Sequence, residues 1–509
     1  MAKRALALDL GSSSVRAIVF EASGPREVHA LDGATARRSR HLRSGQPGQG
    51  TFNVDDYLAD LVACIDELNA EGFLEGVNDV AMDCQWHSIV PLDKAGRPLG
   101  DLVSWADTRP QRPPGTSQPG PDQTEELRQR TGCAFAPMYW TWRAPWLVAT
   151  AGAGALPARF VGLAEYAGLK FLDDPSMSVS MASGTGLLAT ATHTWDDEAL
   201  AHAGLAAPSG WDQALPPLAP RGWHGQLGRD WQRRWPALAS AVWHPALGDG
   251  AAANLGVGCD APGRAALTVG TSAAVRAVRA APDTSRLPAG LWRYCVDRDR
   301  VVVGAAYSSG GQLYAWALSL WEGAPATGRP AGARQVSFDL PMPVGAGSDG
   351  VLVLPWHAGT RPPAPGVPAG QGCVLGLGLG HTGAHIASAA VEAVCFQLAG
   401  GLADLEAGSG QPLEVVVNGG AIERSGWWQQ RLASSLARPI RCPRVSETTA
   451  RGAAAKALGV QLWCPEAQGD VVEPVAQDVG SLARARRRWA QWHASLLPIA
   501  AGPARERQE

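Results

Sequence analysis

The feature that most limits how this chain can fold is a string that occurs twice, half the chain apart. The first copy is Ala5-Leu6-Ala7-Leu8-Asp9-Leu10, then Gly11-Ser12-Ser13-Ser14, then Val15-Arg16-Ala17-Ile18-Val19-Phe20. The second is Ala265-Ala266-Leu267-Thr268-Val269, then Gly270-Thr271-Ser272-Ala273-Ala274, then Val275-Arg276-Ala277. Two β-rich runs joined by a Gly/Ser turn read as a hairpin. GSSSVRA and GTSAAVRA match if the second carries one inserted residue. So short a string repeats by chance, but its spacing at half the chain points to a duplicated domain. Length alone, 509 residues, would suggest about three domains of roughly 150 residues.

Strand patterns alternate with helical ones in both halves, which predicts an α/β fold. Helical periodicity is clearest over 54–71, 386–407 and 427–437, and a further helix is expected over 483–497. Its arginines, Arg484, Arg486, Arg487 and Arg488, read as a solvated face. Pro/Gly-rich stretches at 110–125, 206–222, 325–345 and 359–372 read as loops. Gly378-Leu379-Gly380-His381-Thr382-Gly383 has the spacing of a dinucleotide fingerprint but lies far from any N-terminal βαβ unit, so it reads as the glycine-rich opening of a helix.

Charge and composition exclude several functions. Lys plus Arg number 44 against 47 Asp plus Glu, a formal net charge of -3, so no global basic field exists to hold nucleic acid or anionic lipid. No apolar run reaches the roughly 18 residues that cross a bilayer, and the N-terminal apolar stretch, broken by Asp9, is too short for a signal-peptide core. The cytoplasm is therefore the expected location. Nine scattered cysteines with no CxxC spacing read as reduced, mostly buried thiols. Lysine occurs only at 3, 94, 170 and 456, and no Gly-Lys pair exists, so the lysine-bearing phosphate loop is absent. HExxH and GxSxG are absent too. Any ATP must be held by backbone amides, hydroxyls and arginine.

Four short segments carry such chemistry. In the first repeat Gly11 lets the backbone approach a phosphate, and Ser12 and Ser13 offer hydroxyl and N–H donors. Asp9, just before the turn, is placed to hold Mg²⁺ directly or through water, and Arg16 to reach a phosphate oxygen. Gly270-Thr271-Ser272 repeats the turn, so two phosphate-holding hairpins would face one another across a cleft. In Gly248-Asp249-Gly250 a carboxylate opens a helix beside its positive end; an ordinary N-cap reads the same way. Asn418-Gly419-Gly420, between a strand and a helix, offers bare backbone for a flat ring, as a tight turn also would.

Taken together, these segments resemble the FGGY carbohydrate kinases, within the superfamily of sugar kinases, actin and heat-shock chaperones. The resemblance runs in order over nearly the whole chain. It includes Asp9 to Arg16, the loop 82–88 (MDCQWHS), Trp105-Ala106-Asp107-Thr108-Arg109, Thr131-Gly132-Cys133 with Pro137-Met138-Tyr139, and the run 178–188 (SVSMASGTGLL). It continues through Gly248-Asp249-Gly250, Gly270-Thr271-Ser272, Gly310-Gly311, Asn418-Gly419-Gly420 and Arg451-Gly452-Ala453-Ala454. Ser12 stands where the family usually has Thr, Ala189 where it often has aspartate, and Arg143 where it has Lys.

The resemblance implies two duplicated ribonuclease-H-like α/β domains flanking a deep cleft. Residues 1–250 would bind sugar and end at the catalytic Asp, and 251–509 would bind ATP. It implies ATP-dependent phosphorylation of a primary hydroxyl with Asp249 as base and Mg²⁺ at Asp9. Gly11, Ser12, Ser13, Arg16, Gly270 and Thr271 would hold phosphate, and Gly311, Gly420 and Arg424 the nucleotide. Trp86, His87, Asp107, Arg109 and Arg143 would face the sugar beside Asp249. The sugar-side wording looks most like the gluconate kinases of the family. Gluconate carries a carboxylate, for which Arg109 or Arg143 is the expected cation. A ketopentose or polyol kinase, and a non-catalytic ATP-binding regulator, remain alternatives. The expected partner is a small sugar or sugar acid, with no nucleic acid and no membrane; a homodimer is compatible with the chain.

Overall fold

The computed structural model describes residues 3–116, 118–152, 156–205, 214–322, 344–357, 372–463 and 469–500. Much of the expected loops at 206–222, 325–345 and 359–372 lies outside the described residues, as does Cys464. The eight described cysteines are free thiols, all but Cys373 buried.

Each half is built on the same sheet. In the first, β1 (Lys3–Leu10), β2 (Ser14–Gly24) and β3 (Glu27–Ser39) form an antiparallel meander. On the other side of β1, β4 (Val77–Cys84) runs parallel to it, and β5 (Val242–Trp243) and β6 (Leu247–Gly248) run parallel to β4. In the second, β7 (Arg264–Val269) pairs antiparallel with β8 (Ala273–Ala280), which pairs with β10 (Arg300–Tyr307) and through it with β9 (Trp292–Cys295). On its other side β7 is parallel to β11 (Glu414–Asn418), and β11 to β12 (Ile440–Cys442), with β13 (Asp470–Val472) closing the edge. The two sheets thus share one strand order, and the repeated string is the central hairpin of each.

The register shows where the extra residue falls. In the first hairpin Leu10 pairs with Val15 and Asp9 with Arg16. In the second, Val269 pairs with Ala273 and Thr268 with Ala274. The second turn is therefore the shorter one, and Arg276 lies two residues further along its strand than Arg16 does. Side chains alternate with a period of two, so both arginines emerge on the corresponding face of their hairpins.

The alternation of small and large residues in β1 has a packing cause. Leu6, Leu8 and Leu10 enter the main core, while Ala5, Ala7, Ile18 and Phe20 face Ala450, Ala454 and Ala455. Those alanines lie on the helix Thr448–Ala457, which comes from the second half of the chain and lies close against the first sheet. The same helix crosses the helix Asp249–Gly256 at Gly256 and Gly452. A Cβ on Gly256 would stand 1.7 Å from the Thr448 carbonyl oxygen, and one on Gly452 would stand 1.9 Å from that of Ala252. Glycine is required at both positions by close approach, and the crossing locks the start of the second half to the first.

The expected helices occur as Val54–Ala70, Gly383–Ser409 and Gly426–Leu436. The Gly378–Gly383 motif leads into the second of these, capped by Thr382. By length and composition that 27-residue helix is apolar enough to cross a membrane, contrary to the sequence reading, but Val391, Val394, Leu398 and Leu402 bury it in the core. The last helix, Ala476–Ala500, begins about two turns before the expected start. Leu482, Ala485 and Trp489 pack on Leu354, Trp356 and Phe396. Arg484, Arg487 and Arg488 are exposed.

Candidate active site

The two turns open into one cavity of about 260 Å³, lined by Ser12 and Ser272, by Asp249 and Gly250, and by the aromatic rings of Trp86, His87, Trp105, Tyr139, Trp292 and Tyr294. The elements that place these groups come from both halves. Asp249 is the first residue of its helix, directly after β6 has paired Gly248 with Cys84 of β4. Its Oδ1 accepts the Gly250 N–H at 2.8 Å.

Trp86 and His87 follow β4. The Trp86 indole N–H donates to the Ser180 carbonyl at 2.9 Å, and the ring fills space left by Gly184, Gly248 and Gly250. His87 adopts a left-handed φ of 69° and hydrogen bonds through Nδ1 with the Gly184 carbonyl. A non-glycine residue in that region stores strain and is a mark of functional sites. The turn brings the imidazole to 5.1 Å from the Tyr139 ring and 5.7 Å from Tyr294, measured between centroids. The Tyr139 and Tyr294 hydroxyls are 2.7 Å apart, and burial holds both phenols well above their usual pKa. Trp292 and Tyr294 belong to the second sheet and are anchored on the first half, where the Arg293 N–H meets the Gly132 carbonyl at 3.0 Å and the Cys295 N–H meets Ser183 Oγ at 2.9 Å.

At the second turn Gly270, Thr271 and Gly311 come together, and the Ala421 N–H, next to Gly420, donates to the Val269 carbonyl at 3.1 Å. The Gly311 N–H donates to the Gly270 carbonyl at 2.7 Å, and that of Gln312 to the Thr271 carbonyl at 3.3 Å, so a helix N-terminus rests on the turn. A positive helix end is suited to phosphate. Gly419 has φ 109°, and a Cβ there would stand 2.5 Å from the Val269 carbonyl oxygen. Arg424 donates to the Gly420 carbonyl. On the opposite turn, the Gly11 and Ser13 carbonyls accept from Tyr57 Oη and the Arg40 N–H.

Asp9 and Asp83 sit opposite one another on β1 and β4 and are both buried. Burial raises Asp9 to about 6 against the lowering field of Arg16, and Glu447 and Asp249 add to the rise. Asp83 is pushed well above the usual carboxylate range, first by burial and then by Asp9, and neither of its oxygens has a hydrogen-bond partner among the described residues. The orphaned oxygens of Asp83 beside Asp9, which itself holds Arg16, fit a divalent cation. No group of three or more His, Cys, Asp or Glu forms a metal cage among the described residues, so Mg²⁺ held here would keep water and phosphate oxygens as its other ligands. Asp83 belongs to the 82–88 motif, and its pairing with Asp9 is visible only in the sheet.

Four residues assigned to substrate or phosphate lie elsewhere than expected. Arg16 is held between Asp9 and Glu447. Asp107 and Arg109 pair with each other, and Asp107 also accepts the Gly50 N–H. Burial would raise Asp107, but Arg109 and those N–H groups outweigh it and lower its pKa. The Arg109 guanidinium lies over Trp146, in a separate depression from the cavity. Arg143 is 0% exposed and donates to the carbonyls of His87 (2.8 Å), Pro137 (3.1 Å), Val103 (3.3 Å) and Asp107 (3.3 Å). It braces the loops on which the cavity residues stand. Of the WxDxR segment, Trp105 reaches the cavity.

A duplicated ribonuclease-H-like fold with two glycine–serine turns, a helix-opening carboxylate and an aromatic-lined cavity between its halves defines a sugar-kinase class of phosphotransferase. The chain belongs to the FGGY family of carbohydrate kinases: the N-terminal domain of that family matches residues 4–256 and the C-terminal domain residues 265–459. Such enzymes transfer phosphate to an alcohol group. The chain is 25% identical to a gluconokinase of Bacillus licheniformis, covering 88% of this chain and 86% of that one. It is 30% identical to a xylulose kinase of Streptomyces rubiginosus over 94% of each. It superposes on a gluconate kinase structure from Lactobacillus acidophilus with a TM-score of 0.81, at 21% identity and 99% coverage of both.

Proposed function

We propose that this kinase phosphorylates the terminal primary hydroxyl of D-gluconate with ATP, giving 6-phosphogluconate, in the cytoplasm. The observation that carries the reading is the joint opening of Asp249, Ser12 and Ser272 into one aromatic-walled cavity. The name of the B. licheniformis relative and of the L. acidophilus structure supports gluconate.

Asp249 accepts the hydroxyl proton as the oxygen attacks the γ-phosphorus, a contribution of about 10²–10⁴-fold for a general base. The N–H and hydroxyl groups of Gly11, Ser12, Ser13, Gly270 and Thr271 hold the phosphates, and Gly311, Gly420 and Arg424 line the nucleotide. Trp86 and His87 face the sugar, while Asp107, Arg109 and Arg143 fix the loops that present them. Asp9, with Asp83, would hold Mg²⁺, which when bound neutralises phosphate charge.

The xylulose kinase relative supports a ketopentose as the second reading. ADP release measured on gluconate, xylulose, ribulose and glycerol tests the choice. Gluconate is expected to give the highest kcat/KM, and a clear preference for a neutral sugar would overturn the assignment.

A further inference from the structure

A carboxylate-bearing substrate entering this cavity needs a cation, because burying an unpaired charge is costly. Arg109 lies in another depression and Arg143 is consumed by backbone carbonyls. Among the described lining residues the permanent cations are Arg128 and Arg276. Arg128 is fully committed: it grips both Glu125 oxygens and the carbonyls of Leu287, Pro288 and Leu291, so each of its five N–H groups has a partner.

Arg276 is different. Its Nε is buried with no hydrogen-bond partner, and Nη1 makes only a long contact, 3.3 Å, to Thr268 Oγ1. Asp9 and Thr268 hold equivalent places in the two hairpins, two residues before the turn glycine, but Arg16 stands opposite Asp9 whereas Arg276 stands opposite Ala266 and only reaches back to Thr268. In the first half Arg16 is neutralised by Asp9 and again by Glu447. In the second half the equivalent place is the neutral Thr268, whose hydroxyl is itself engaged with Asn418 Oδ1 at 2.7 Å. The field of Asp249 reaches Arg276 as well.

The position also favours the sugar over the phosphates. Arg276 stands four residues beyond the end of the phosphate turn, roughly 13 Å along a strand that rises about 3.3 Å per residue. Its Nε lies 3.1 Å from where a Cβ of Gly250 would be, and its Cγ 3.1 Å from where one of Gly304 would be. Two glycines thus leave the room through which the side chain reaches the cavity.

We propose that Arg276 binds the carboxylate of the substrate and so selects a sugar acid over neutral sugars of the same length. The proposal rests on the sugar-acid reading above. The matched probe is D-glucitol, which is D-gluconate with its carboxylate replaced by a hydroxymethyl group. For the wild type, calorimetric binding and kcat/KM are expected to favour gluconate strongly. Arg276→Gln is expected to lower kcat/KM for gluconate by about 10- to 100-fold and to leave glucitol within about twofold, with Arg276→Lys recovering part of the loss.

Equal losses on both substrates would overturn the proposal and assign Arg276 to phosphate or to Asp249 instead. Retained discrimination in Arg276→Gln would overturn it as well. A wild type that binds neutral sugars and ignores gluconate removes the sugar-acid reading itself, a result seen without any variant. ATP binding by the variants, measured separately, confirms that they are folded.

Discussion

The indole of Trp86 occupies the space in which a side chain of Gly248 would stand: an ideal Cβ on Gly248 lies 1.8 Å from Cε2 of that ring. The wall of the aromatic-lined cavity and the residue before the proposed base are thereby one packing unit. Gly248→Ala must displace either the tryptophan or the helix that Asp249 opens. Overpacking of this kind costs about 1–3 kcal/mol. A lowered melting temperature together with at least about a tenfold loss of kcat/KM is expected. An alanine variant with wild-type kinetics would show that the contact does not position Asp249.

Asp249→Asn keeps the size and the Gly250 contact of the side chain but cannot take a proton. A fall in kcat of about 10²–10⁴-fold is expected, with ADP binding unchanged by calorimetry. Turnover close to wild type would remove the base assignment.

Arg143 separates scaffold from specificity. Arg143→Gln removes the guanidinium from four carbonyls, of which that of Val103 keeps the Ile89 N–H; each carbonyl left without a donor loses about 1–3 kcal/mol where no water replaces it. Denaturant unfolding is expected to show a loss on the order of 3 kcal/mol. Gluconate and glucitol should suffer alike, unlike the response expected at Arg276. A selective loss on gluconate would return the carboxylate-binding role to Arg143.

Glu165 provides a pH test. It is buried, and burial raises its carboxyl from 4.5 to about 7. The folded protein therefore binds this proton more tightly than the unfolded chain, and stability is lost as pH rises from about 4.5 to about 7. Glu165→Gln removes that loss. The variant should be more stable than wild type by up to about 3 kcal/mol near pH 8 and nearly equal to it near pH 4.5. Unfolding curves at both pH values check the sign; a gain that does not grow with pH would contradict it.

How much of this was legible beforehand varies with the range of the interaction. The hairpins at 11–14 and 270–272, the helix opening at Asp249 and the strand before Asn418 were all read from neighbouring residues. The early start of the last helix was not read, because Leu482 finds its partners at Leu354 and Phe396, far away in the chain. The Asp9–Asp83 pair was missed for the same reason: parallel strands meet only through a long crossover.

The sequence by itself determined the duplication, the two glycine–serine turns, the carboxylate at the head of a helix and the family. Each of these depends on local backbone chemistry: glycine where the chain must turn tightly or be approached closely, and small hydroxyl residues where phosphate needs donors. The tertiary structure alone decided which arginine is available to a substrate. Arg16, Arg109, Arg143 and Arg276 carry the same guanidinium, and the sequence pointed to Arg109 or Arg143 for a carboxylate, not to Arg276. Burial against carbonyls satisfies Arg143, nearby carboxylates neutralise Arg16 and Arg109, and Arg276, opposite Ala266, reaches only the neutral Thr268. Charge is a property of the residue, but whether that charge is already spent depends on groups that folding brings in from distant parts of the chain.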